Sequence, residues 1–370
     1  MLAWRDLEDV EAGGSEIHAA NVARLWAAAG LDVTMRASHA QGQPPTVTRD
    51  GYHVIRRAGR YLVFPRAVAS ELAGRHGERD ALVEIWNGMP FFSPLWATGP
   101  RAVWLHHVHA EMWRMVLPPN LAELGNTIES RIAPLLYRRS QIVTLSDSSR
   151  SELVDHLGFR RDRVSVVPPG IHPRFTPGPE DERSPTPLVV AAGRLMPVKR
   201  FHLLIREVAA VREHVPGVEL AIVGSGFERV ALEQLVADLD ASSWVTLAGQ
   251  VDDDTLVDLY RRAWVVASTS AREGWGMTIT EAAACGTPAV ATDISGHRDA
   301  VDDGTTGLLG PADGTIRGEL ERVLGDDDLR EKLSRNARAR AERFTWEATA
   351  VGTLEALLAD ARRRRRRFRP

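Results

Sequence analysis

The feature that most constrains this chain is an alternation, repeated along its length, of short apolar runs with longer amphipathic runs. The apolar runs have the length of buried strands, and the amphipathic runs have the length and spacing of helices. Strands that alternate with helices form parallel sheets covered by helices. The pattern therefore predicts an α/β fold, and its regular restart after residue 187 predicts a doubly wound domain in the second half.

The same pattern places the individual elements. We predict strands at 31–37, 102–105, 141–145, 188–194, 218–224, 244–249, 264–269 and 288–292, and helices at 16–29, 199–214, 227–238, 253–262 and near 278–285. In open α/β sheets, ligands bind at the carboxyl ends of strands. We therefore expect the functional side chains to follow strands directly.

A break in the pattern divides the chain into two domains. Residues 168–187 hold seven prolines and three acidic residues and have little periodicity, which is typical of a linker. The 370 residues suffice for two domains. We place an N-terminal domain at 1–168 and a C-terminal domain at 169–345, expect a helix near 346–361 to pack back on the first, and treat 362–370 as a basic tail.

Composition narrows the class of protein. The net charge of −3 argues against a general attraction to nucleic acid. With one cysteine, Cys285, the chain can form no internal disulfide, which suits the cytoplasm. The sequence has no run of 18 apolar residues, and its acidic N-terminus does not resemble a signal peptide. We expect a cytoplasmic protein, with peripheral contact at the inner membrane face as an option.

That option rests on the arginines from Arg362 to Arg367, which are six in a row. Such a run can be a solvated, disordered tail, a contact with anionic lipid, or less readily a nucleic-acid contact. The sequence leaves these alternatives open.

The strongest chemical signal follows the predicted strand at 264–269. Glu273 lies in a loop and Glu281 lies in the next helix, eight positions later. Gly274 and Gly276 would let the backbone approach a ligand closely. The free N–H groups at the start of that helix, near Met277 and Thr278, suit a diphosphate.

A second group of charges follows the predicted strand at 188–194. Gly193 and Arg194 end this strand, and Lys199 and Arg200 come shortly after. Two or three cations at one strand end could neutralise the charge of a departing diphosphate.

These motifs resemble glycosyltransferase family 4. The spacing of Glu273 and Glu281 matches the E-x7-E motif of retaining GT-B enzymes, and EGWGMTITEAAACGTPAVAT looks like the surrounding family block. VPPGIHPRFTP, AAGRLMPVKRFHLLI, LAIVGSGFE, VTLAGQVDDDTLVDLYRRA and SGHRDAVDDGTTGLL are similar to further blocks, in the family's order. The N-terminal segment EAGGSEIHAANVARLWAAAGLDVT resembles the glycine-rich entry loop and first helix. The resemblance implies two Rossmann-like doubly wound domains facing an interdomain cleft.

The resemblance also implies a function and roles for residues. It implies a retaining, metal-independent transfer of a hexose from a UDP- or GDP-linked donor to a hydroxyl acceptor, such as a lipid or glycan, with no cofactor and no metal site. The implied donor-binding residues are Gly13, Gly14, Gly193, Arg194, Lys199, Gln250, Val251, Glu273, Gly274, Trp275, Gly276, Met277, Thr278 and Glu281. The implied catalytic residues are His106, Glu273, Arg194 and Lys199.

Two points of this assignment remain open on the sequence. His106 follows a predicted strand as the family's histidine does, but His107 and His109 are close behind it. Glu273 could act as a nucleophile, or it could position the donor while the acceptor attacks the front face. The chain also starts at MLAW, so the family's first strand is expected to be absent or shortened.

Several motifs have plainer explanations. Asp252, Asp253 and Asp254 look like a metal site but directly precede a helix, so we predict a helix start. The neighbouring histidines could hold zinc, although no further ligand is evident. GSGFE at 224–228 is predicted to be a tight turn, with phosphate contact as the alternative. Cys285 is predicted to be a packing residue.

Two other functions compete with a sugar transferase. A GT-B epimerase or phosphorylase would use a nucleotide sugar, or a glycan with phosphate, without a separate acceptor alcohol. A sugar-nucleotide-binding protein without catalysis is the alternative from a different class. The presence of Glu273, Glu281, Arg194 and Lys199 favours the transferase.

Overall fold

The chain crosses twice between two structural units. A computed structural model describes residues 1–75, 77–179 and 182–367. One unit comprises Met1–Gly170 together with Trp346–Pro370, and the other comprises Ile171–Thr345. Both have α/β architecture with mainly parallel sheets, as the alternating pattern predicted.

The N-terminal unit contains two strand groups. The order β2-β3-β1 forms one group, in which β2 runs antiparallel, and the parallel order β4-β5-β6-β7 forms the other. The strands are β1 (Thr34–Ala37), β2 (Thr46–Arg49), β3 (Tyr52–Arg56), β4 (Leu82–Ile85), β5 (Arg101–Trp104), β6 (Gln141–Thr144) and β7 (Val164–Val166). The helices before residue 170 are α1 (Gly14–Ala28), α2 (Val63–Leu72), α3 (Ser93–Trp96), α4 (Met112–Val116), α5 (Pro119–Thr127), α6 (Ala133–Tyr137) and α7 (Asp147–Asp155).

Residues at the start of the chain join these two strand groups. Leu2 forms parallel bridges to Arg36 on one side and to Glu84 on the other. Leu2 N–H donates to Val83 O at 2.8 Å, and Arg36 N–H donates to Met1 O at 2.9 Å. The place of the family's first strand is therefore taken by a short extended segment between β1 and β4.

In the described part of the C-terminal unit, a parallel sheet has the order β10-β9-β8-β11-β12-β13. The chain moves outward from β8 to β10, then returns to the other side of β8 and continues to β13, which is the doubly wound Rossmann order. The strands are β8 (Leu188–Ala192), β9 (Glu219–Val223), β10 (Val245–Gly249), β11 (Val265–Ser268), β12 (Ala289–Thr292) and β13 (Gly307–Gly310).

Helices cover this sheet because their apolar faces pack on it. In α8, the buried residues recur at helical spacing through Phe201, Leu204, Ile205 and Val208 and join one core with the strands. The helices of this unit are α8 (Phe201–Val211), α9 (Arg229–Asp238), α10 (Asp253–Arg262), α11 (Met277–Ala284), α12 (His297–Ala300), α13 (Arg317–Gly325) and α14 (Asp327–Ala341).

The last helix, α15 (Trp346–Arg367), belongs to the N-terminal unit. Trp26 of α1 donates its indole N–H to Ala350 O at 2.9 Å, and Ala356 and Leu357 enter the same core as α1. The helix is longer than predicted, since it includes residues 362–367 that the sequence assigned to the tail; residues 368–370 lie outside the described part. None of the helices in the described ranges combines the length and apolar character needed to cross a membrane.

Candidate active site

In the C-terminal unit, the predicted site lies where the strand order reverses, at the ends of the neighbouring strands β8 and β11. Lys199 ends the 3₁₀ turn Pro197–Lys199 after β8, and Glu273 lies in the loop after β11. The Lys199 ammonium donates a hydrogen bond to Glu273 Oε1, and Ser270 Oγ donates to the same oxygen at 2.8 Å. The structure thus brings together two predicted catalytic residues that are 74 positions apart.

Burial and charge act in opposite directions on Glu273. Burial would raise the pKa of its carboxyl, but the Lys199 ammonium, together with His297 and the Ser270 hydroxyl, lowers this pKa to about 2. Glu273 is therefore ionised throughout the neutral range. The side chains of Lys199 and Glu273 are 23% and 18% exposed, so the pair is largely sheltered while still reachable by a ligand.

Arg200, which the sequence grouped with the phosphate-binding cations, has a different role. Its guanidinium donates to four backbone oxygens at 2.7 to 2.9 Å, those of Thr269, Ser270, Ala312 and Asp313. These bonds engage the guanidinium and hold the loop that leads to Glu273. Arg200 therefore positions this loop.

The glycine turn after β9 packs against the segment that carries Arg194. A Cβ on Gly224 would lie 1.9 Å from Gly193 O, and one on Gly226 would lie 2.3 Å from Leu195 O. This approach requires glycine at both positions. The segment 224–228 is thus a tight turn, as predicted, and it supports the backbone on both sides of Arg194, whose side chain is half-buried.

The start of α11 forms the other part of the predicted site. Gly274 and Trp275 lead into Gly276, the N-cap, which has a left-handed backbone with φ of 118°. Met277 and Thr278 then present backbone N–H groups at the positive end of the helix dipole, the arrangement in which helices bind phosphate groups. Trp275 is 4% exposed, so this residue offers its backbone rather than its ring to the loop.

His297, which the sequence analysis missed, lies next to this loop. Its ring is buried, with Nδ1 2.9 Å from Thr292 O and Nε2 3.3 Å from Ser268 Oγ. Burial lowers the pKa of His297, and the Glu273 carboxylate opposes this effect. A Cβ on the preceding residue, Gly296, would lie 2.6 Å from Glu273 O, so the backbone at Gly296 packs directly against the Glu273 loop.

Glu281 lies in the second turn of α11. Burial raises the pKa of its carboxyl to about 7, and the Arg174 guanidinium and the nearby Tyr260 hydroxyl oppose this effect. The carboxyl thus changes charge near neutral pH.

At the end of the same helix, Cys285 is buried in an apolar cluster, as predicted for a packing residue, and burial raises the pKa of its thiol to about 12.

Gln250 and Val251 follow β10 at the edge of the sheet. The end of β10 is tied to the glycine turn, because Gly224 N–H donates to Gly249 O at 2.7 Å. The next residue, Asp252, caps α10 and accepts a hydrogen bond from the backbone N–H three residues on at 2.8 Å. The aspartates at 252–254 are therefore a helix start, as predicted.

In the N-terminal unit, Gly13 and Gly14 lie at the start of α1. The Glu16 carboxylate accepts a hydrogen bond from Gly13 N–H at 2.9 Å and pairs with the buried Arg5 guanidinium at 3.1 Å. Glu16 thereby fixes the glycine loop from the protein interior, while Gly14 stays exposed.

His106 follows β5 and pairs with a histidine from α1. Its Nε2 lies 2.9 Å from His18 Nδ1, and the His18 ring stacks on Trp104 with centroids 4.7 Å apart. Burial, with the effect of His107, lowers the pKa of His106 to about 3; burial and His106 also hold the pKa of His18 well below its usual value. His106 is thus a neutral hydrogen-bonding group at neutral pH.

The loop after His106 is organised by Glu129. This buried carboxylate accepts hydrogen bonds at 3.0 Å from the backbone N–H groups of His109 and Ala110 and from the Trp113 indole. Glu129 lies on a π-helical turn, Ile128–Ile132, a local geometry that is frequent at functional sites. Of the three candidate histidines, His106 is paired with α1, whereas the backbone of His109 is held by Glu129.

His18 and Ser270 are further site residues that the sequence analysis missed. A signal existed for both: His18 lies on the face of the predicted helix that also carries Val22, and Ser270 directly follows the strand that leads to Glu273. The signal for His297 and Glu129 was weaker, because their roles depend on tertiary contacts.

Two family models match the chain. The model of glycosyltransferase family 4 matches residues 12–175, and the model of glycosyl transferases group 1 matches residues 175–340. Among characterised proteins, the chain is similar to D-inositol 3-phosphate glycosyltransferases. The protein from Kineococcus radiotolerans is 32% identical over an alignment of 406 positions, which covers 93% of this chain and 90% of the relative. The protein from Nocardia farcinica is 34% identical over 242 residues, which cover 61% of this chain and about half, 54%, of that relative.

Solved structures show the same fold. Sucrose-phosphate synthase from Thermosynechococcus elongatus has a TM-score of 0.81 at 22% identity and covers 95% of this chain and 94% of its own. HepE from Anabaena, solved in complex with UDP-glucose, has a TM-score of 0.74 at 20% identity, with 94% and 97% covered. The chain thus has the GT-B fold and is a glycosyltransferase. The family models, the relatives and the shared fold together show that this chain belongs to glycosyltransferase family 4.

Proposed function

We propose that this enzyme is a retaining, metal-independent hexosyltransferase that uses a nucleotide-diphosphate sugar. The observation that carries the proposal is the contact between Lys199 and Glu273 at the reversal of the strand order. At this place in doubly wound sheets, ligands bind at the carboxyl ends of strands. Lys199 and the N-terminus of α11 supply positive charge for a diphosphate, and Glu273 is an ionised carboxylate for the sugar.

The donor diphosphate would be bound by protein groups alone. Lys199 contributes a point charge and Arg194 a guanidinium that can bind two oxygens at once. The N–H groups of Met277 and Thr278 add hydrogen bonds aligned with a helix dipole. As the bond to the sugar breaks, these groups would stabilise the negative charge that develops on the leaving nucleotide.

Glu281 and the segment Gln250-Val251 would bind the nucleoside. The Glu281 carboxylate can accept hydrogen bonds from ribose hydroxyls, and backbone groups at Gln250 and Val251 would meet the base. Between UDP and GDP, we favour UDP, since HepE of the same fold was solved with UDP-glucose. The acceptor supplies a hydroxyl group, and the neutral imidazole of His106 would form a hydrogen bond near the transferred sugar.

Glu273 would position the donor rather than attack it. Its Oε1 already accepts hydrogen bonds from Lys199 and Ser270, which reduces the nucleophilicity of the carboxylate. The proposal is then a front-face attack in which the leaving phosphate helps to deprotonate the acceptor. Glu273→Gln tests it: we expect a loss of roughly 10- to 100-fold in kcat, whereas loss of nearly all activity would show a covalent nucleophile.

Donor class and metal independence can be tested together in a thermal-shift panel. The ligands are uridine, guanosine, adenosine and thymidine diphosphates, each with and without EDTA. A ligand at 100 times its Kd adds about 2.7 kcal/mol of stability, enough to raise the melting temperature visibly. We expect a shift with UDP that EDTA leaves unchanged. A shift that requires a divalent metal, or no shift with any diphosphate, would contradict the proposal.

We also propose that this cytoplasmic enzyme contacts an anionic membrane through the arginines from Arg362 to Arg367. These belong to α15, and Arg362 and Arg365 are exposed. Arg363 donates to Asp162 O at 2.7 Å, so the end of the helix is fixed beside the exposed residues Arg160 and Arg161. Arginines near an anionic surface each add about 1 kcal/mol of binding.

An apolar ridge on α5, the π-helical turn Ile128–Ile132 and α6 supports this partner over nucleic acid. Its exposed side chains recur at helical spacing: Leu121 (53% exposed), Leu124 (54%), Ile132 (44%) and Leu135 (67%). The ridge leads to the exposed residues Arg138 and Arg139, and Arg163 donates to Arg139 O at 3.2 Å. Exposed leucines beside arginines are typical of surfaces that bind at the lipid interface.

Co-sedimentation with vesicles tests the membrane contact. We expect binding to an equimolar mixture of phosphatidylglycerol and phosphatidylcholine, little binding to phosphatidylcholine alone, and strong loss with Leu124→Gln/Leu135→Gln. The matched control is Leu62→Gln/Leu72→Gln, whose targets are each 66% exposed at the two ends of α2. The proposal would be contradicted if the ridge and control variants bound the anionic vesicles equally well. It would also be contradicted if the wild-type enzyme did not bind these vesicles.

A further inference from the structure

A cavity in the N-terminal unit is lined by arginines that the proposed reaction does not use. It has a volume of about 440 Å³ and is lined by Arg36, Arg57, Arg66 and Arg75, with Ser70 and Thr46 among the remaining lining residues. Small-molecule sites typically measure about 300–1,000 Å³, so the cavity has room for a ligand of the size of a sugar phosphate.

The four arginines reach the cavity from different elements. Arg36 lies on β1, Arg57 directly follows β3, Arg66 lies on α2, and Arg75 follows α2. Arg36 is paired in register with Ile55, another lining residue, so both side chains leave the sheet on the same face. The cavity therefore lies between α2 and the three-stranded group β2-β3-β1.

Four of the seven lining residues of this cavity are arginines, so positive charge predominates in its lining. Arg36 is 3% exposed, and burial lowers the pKa of its guanidinium. The Glu71 carboxylate opposes this effect, but Arg66, Arg57 and Arg75 add to it by repulsion. Glu71 itself pairs with Arg79. Arginine stays protonated in proteins, so these cations cannot relieve the repulsion by losing protons.

We propose that this cavity is a binding site for a phosphate-bearing ligand. Four guanidinium groups around one cavity create a positive potential that favours the entry of an anion. Guanidinium groups bind phosphate oxygens in pairs, and the Ser70 and Thr46 hydroxyls can donate further hydrogen bonds. The phosphate belongs either to a soluble sugar phosphate or to a lipid headgroup, because both present the same anion. This site is separate from the donor residues Lys199 and Glu273, which belong to the other unit.

Calorimetric titration of the full chain with glucose 6-phosphate tests the proposal. Arg66→Gln/Arg75→Gln removes two exposed lining arginines, so the fold should be preserved, and we expect affinity to fall by about tenfold or more. The matched control, Arg322→Gln/Arg338→Gln, removes two exposed arginines of the other unit and should bind like wild type. Lys199→Ala should also keep the binding, which separates this cavity from the donor site.

A second arm identifies the source of the phosphate. The anion is a lipid headgroup if wild type does not bind glucose 6-phosphate but binds phosphatidylglycerol vesicles, and if the Arg66→Gln/Arg75→Gln variant does not bind these vesicles. The proposal is overturned if the variant matches wild type in both arms, if the control variant loses binding equally, or if only Lys199→Ala abolishes binding of glucose 6-phosphate.

Discussion

The two units place opposite kinds of chemistry after their central strands. Beyond β11, the C-terminal unit holds a charged pair, Lys199 with Glu273, whereas beyond β5 the N-terminal unit holds two buried histidines, His106 with His18. The same variable, burial, acts on both. A partner of opposite charge keeps Glu273 ionised with a pKa of about 2, whereas burial and repulsion from His107 keep His106 neutral with a pKa of about 3.

The proposed reaction needs both kinds of group. A diphosphate leaving group is always negative, so its site needs cations that stay charged at every working pH. A group beside a transferring sugar needs to exchange hydrogen bonds without adding charge of its own. Four experiments test this division of roles between the two units.

The largest effect is expected at the charged pair. Lys199→Ala removes the cation beside the proposed diphosphate and leaves Glu273 buried without it. We expect kcat/KM for sugar transfer to fall on the order of 10²–10³-fold. The control is Lys332→Ala, an exposed lysine on α14. If Lys199→Ala transfers sugar at the rate of wild type, the C-terminal unit does not use a permanent charge for the donor.

The neutral pair predicts a different dependence on pH. The folded chain keeps His106 neutral, so the unfolded chain binds more protons between pH 6.5 and about 3, and stability falls as the pH drops through this window. The Glu273 contribution is lost only below its ordinary pKa of 4.5, towards about 2. Thermal melting should show that His106→Asn flattens the stability curve above pH 4.5, while Glu273→Gln flattens it below.

The activity of the same variant adds a second readout. His106→Asn should lower transfer by roughly 10- to 100-fold and leave UDP affinity unchanged, because His106 is proposed to contact the transferred sugar, which UDP lacks. If the stability of His106→Asn depends on pH above 4.5 as that of wild type does, His106 has the same pKa in the folded and the unfolded chain. The contrast between the two units would then be wrong.

A smaller effect is expected at Glu281, a carboxyl of the donor unit whose pKa of about 7 lies near neutrality. Hydrogen bonds to a charged acceptor are stronger by about 1 kcal/mol than those to a neutral one. UDP affinity of wild type, measured by calorimetry, should therefore fall about fivefold as the pH drops through 7. Glu281→Gln should bind UDP with the weaker affinity on both sides of pH 7. If UDP affinity of this variant still depends on pH as in wild type, another group causes the dependence.

The smallest effect concerns the aspartates at the start of α10. Asp252→Ala should lower the melting temperature, because α10 loses its N-cap hydrogen bond, and leave transfer unchanged with or without EDTA. Asp326→Ala is a matched control, because Asp326 caps α14 by accepting from Leu329 N–H at 2.9 Å. A loss of activity in Asp252→Ala alone, restored by a divalent metal, would place a metal in the donor unit.

The sequence predicted the architecture because alternation is a local property that survives folding. It missed the hairpin of β2 and β3, which are only four and five residues long. The Asp50-Gly51 pair between them is a known turn signal, and both residues have positive φ, 45° and 84°. The sequence prediction also ended α15 too early. The arginine run looked like a tail, but Arg363 is held by Asp162 and Arg364 donates to Asp360.

The site was predictable where chain position alone decides which residues meet. Lys199 and Glu273 both follow neighbouring strands of a doubly wound sheet, so their contact is implied by strand order. The role of Arg200 was not predictable, because Arg200 directly follows Lys199 in the sequence. Only the folded structure shows that its guanidinium is directed at backbone oxygens. Likewise, the choice of His106 over His109 depends on α1 and on the Glu129 carboxylate, which lie far away in the sequence.

The return of α15 to the first unit bears on the order in which a ribosome releases a foldable chain. Residues Ile171–Thr345 form a unit that is complete before the last helix has been made. The unit that is translated first still lacks the helix whose Ala350, Ala356 and Leu357 fill its core beside α1. The N-terminal unit therefore exposes an apolar surface until α15 has been synthesised. If translation stalls before Trp346, we expect this unit to aggregate more readily than the C-terminal unit.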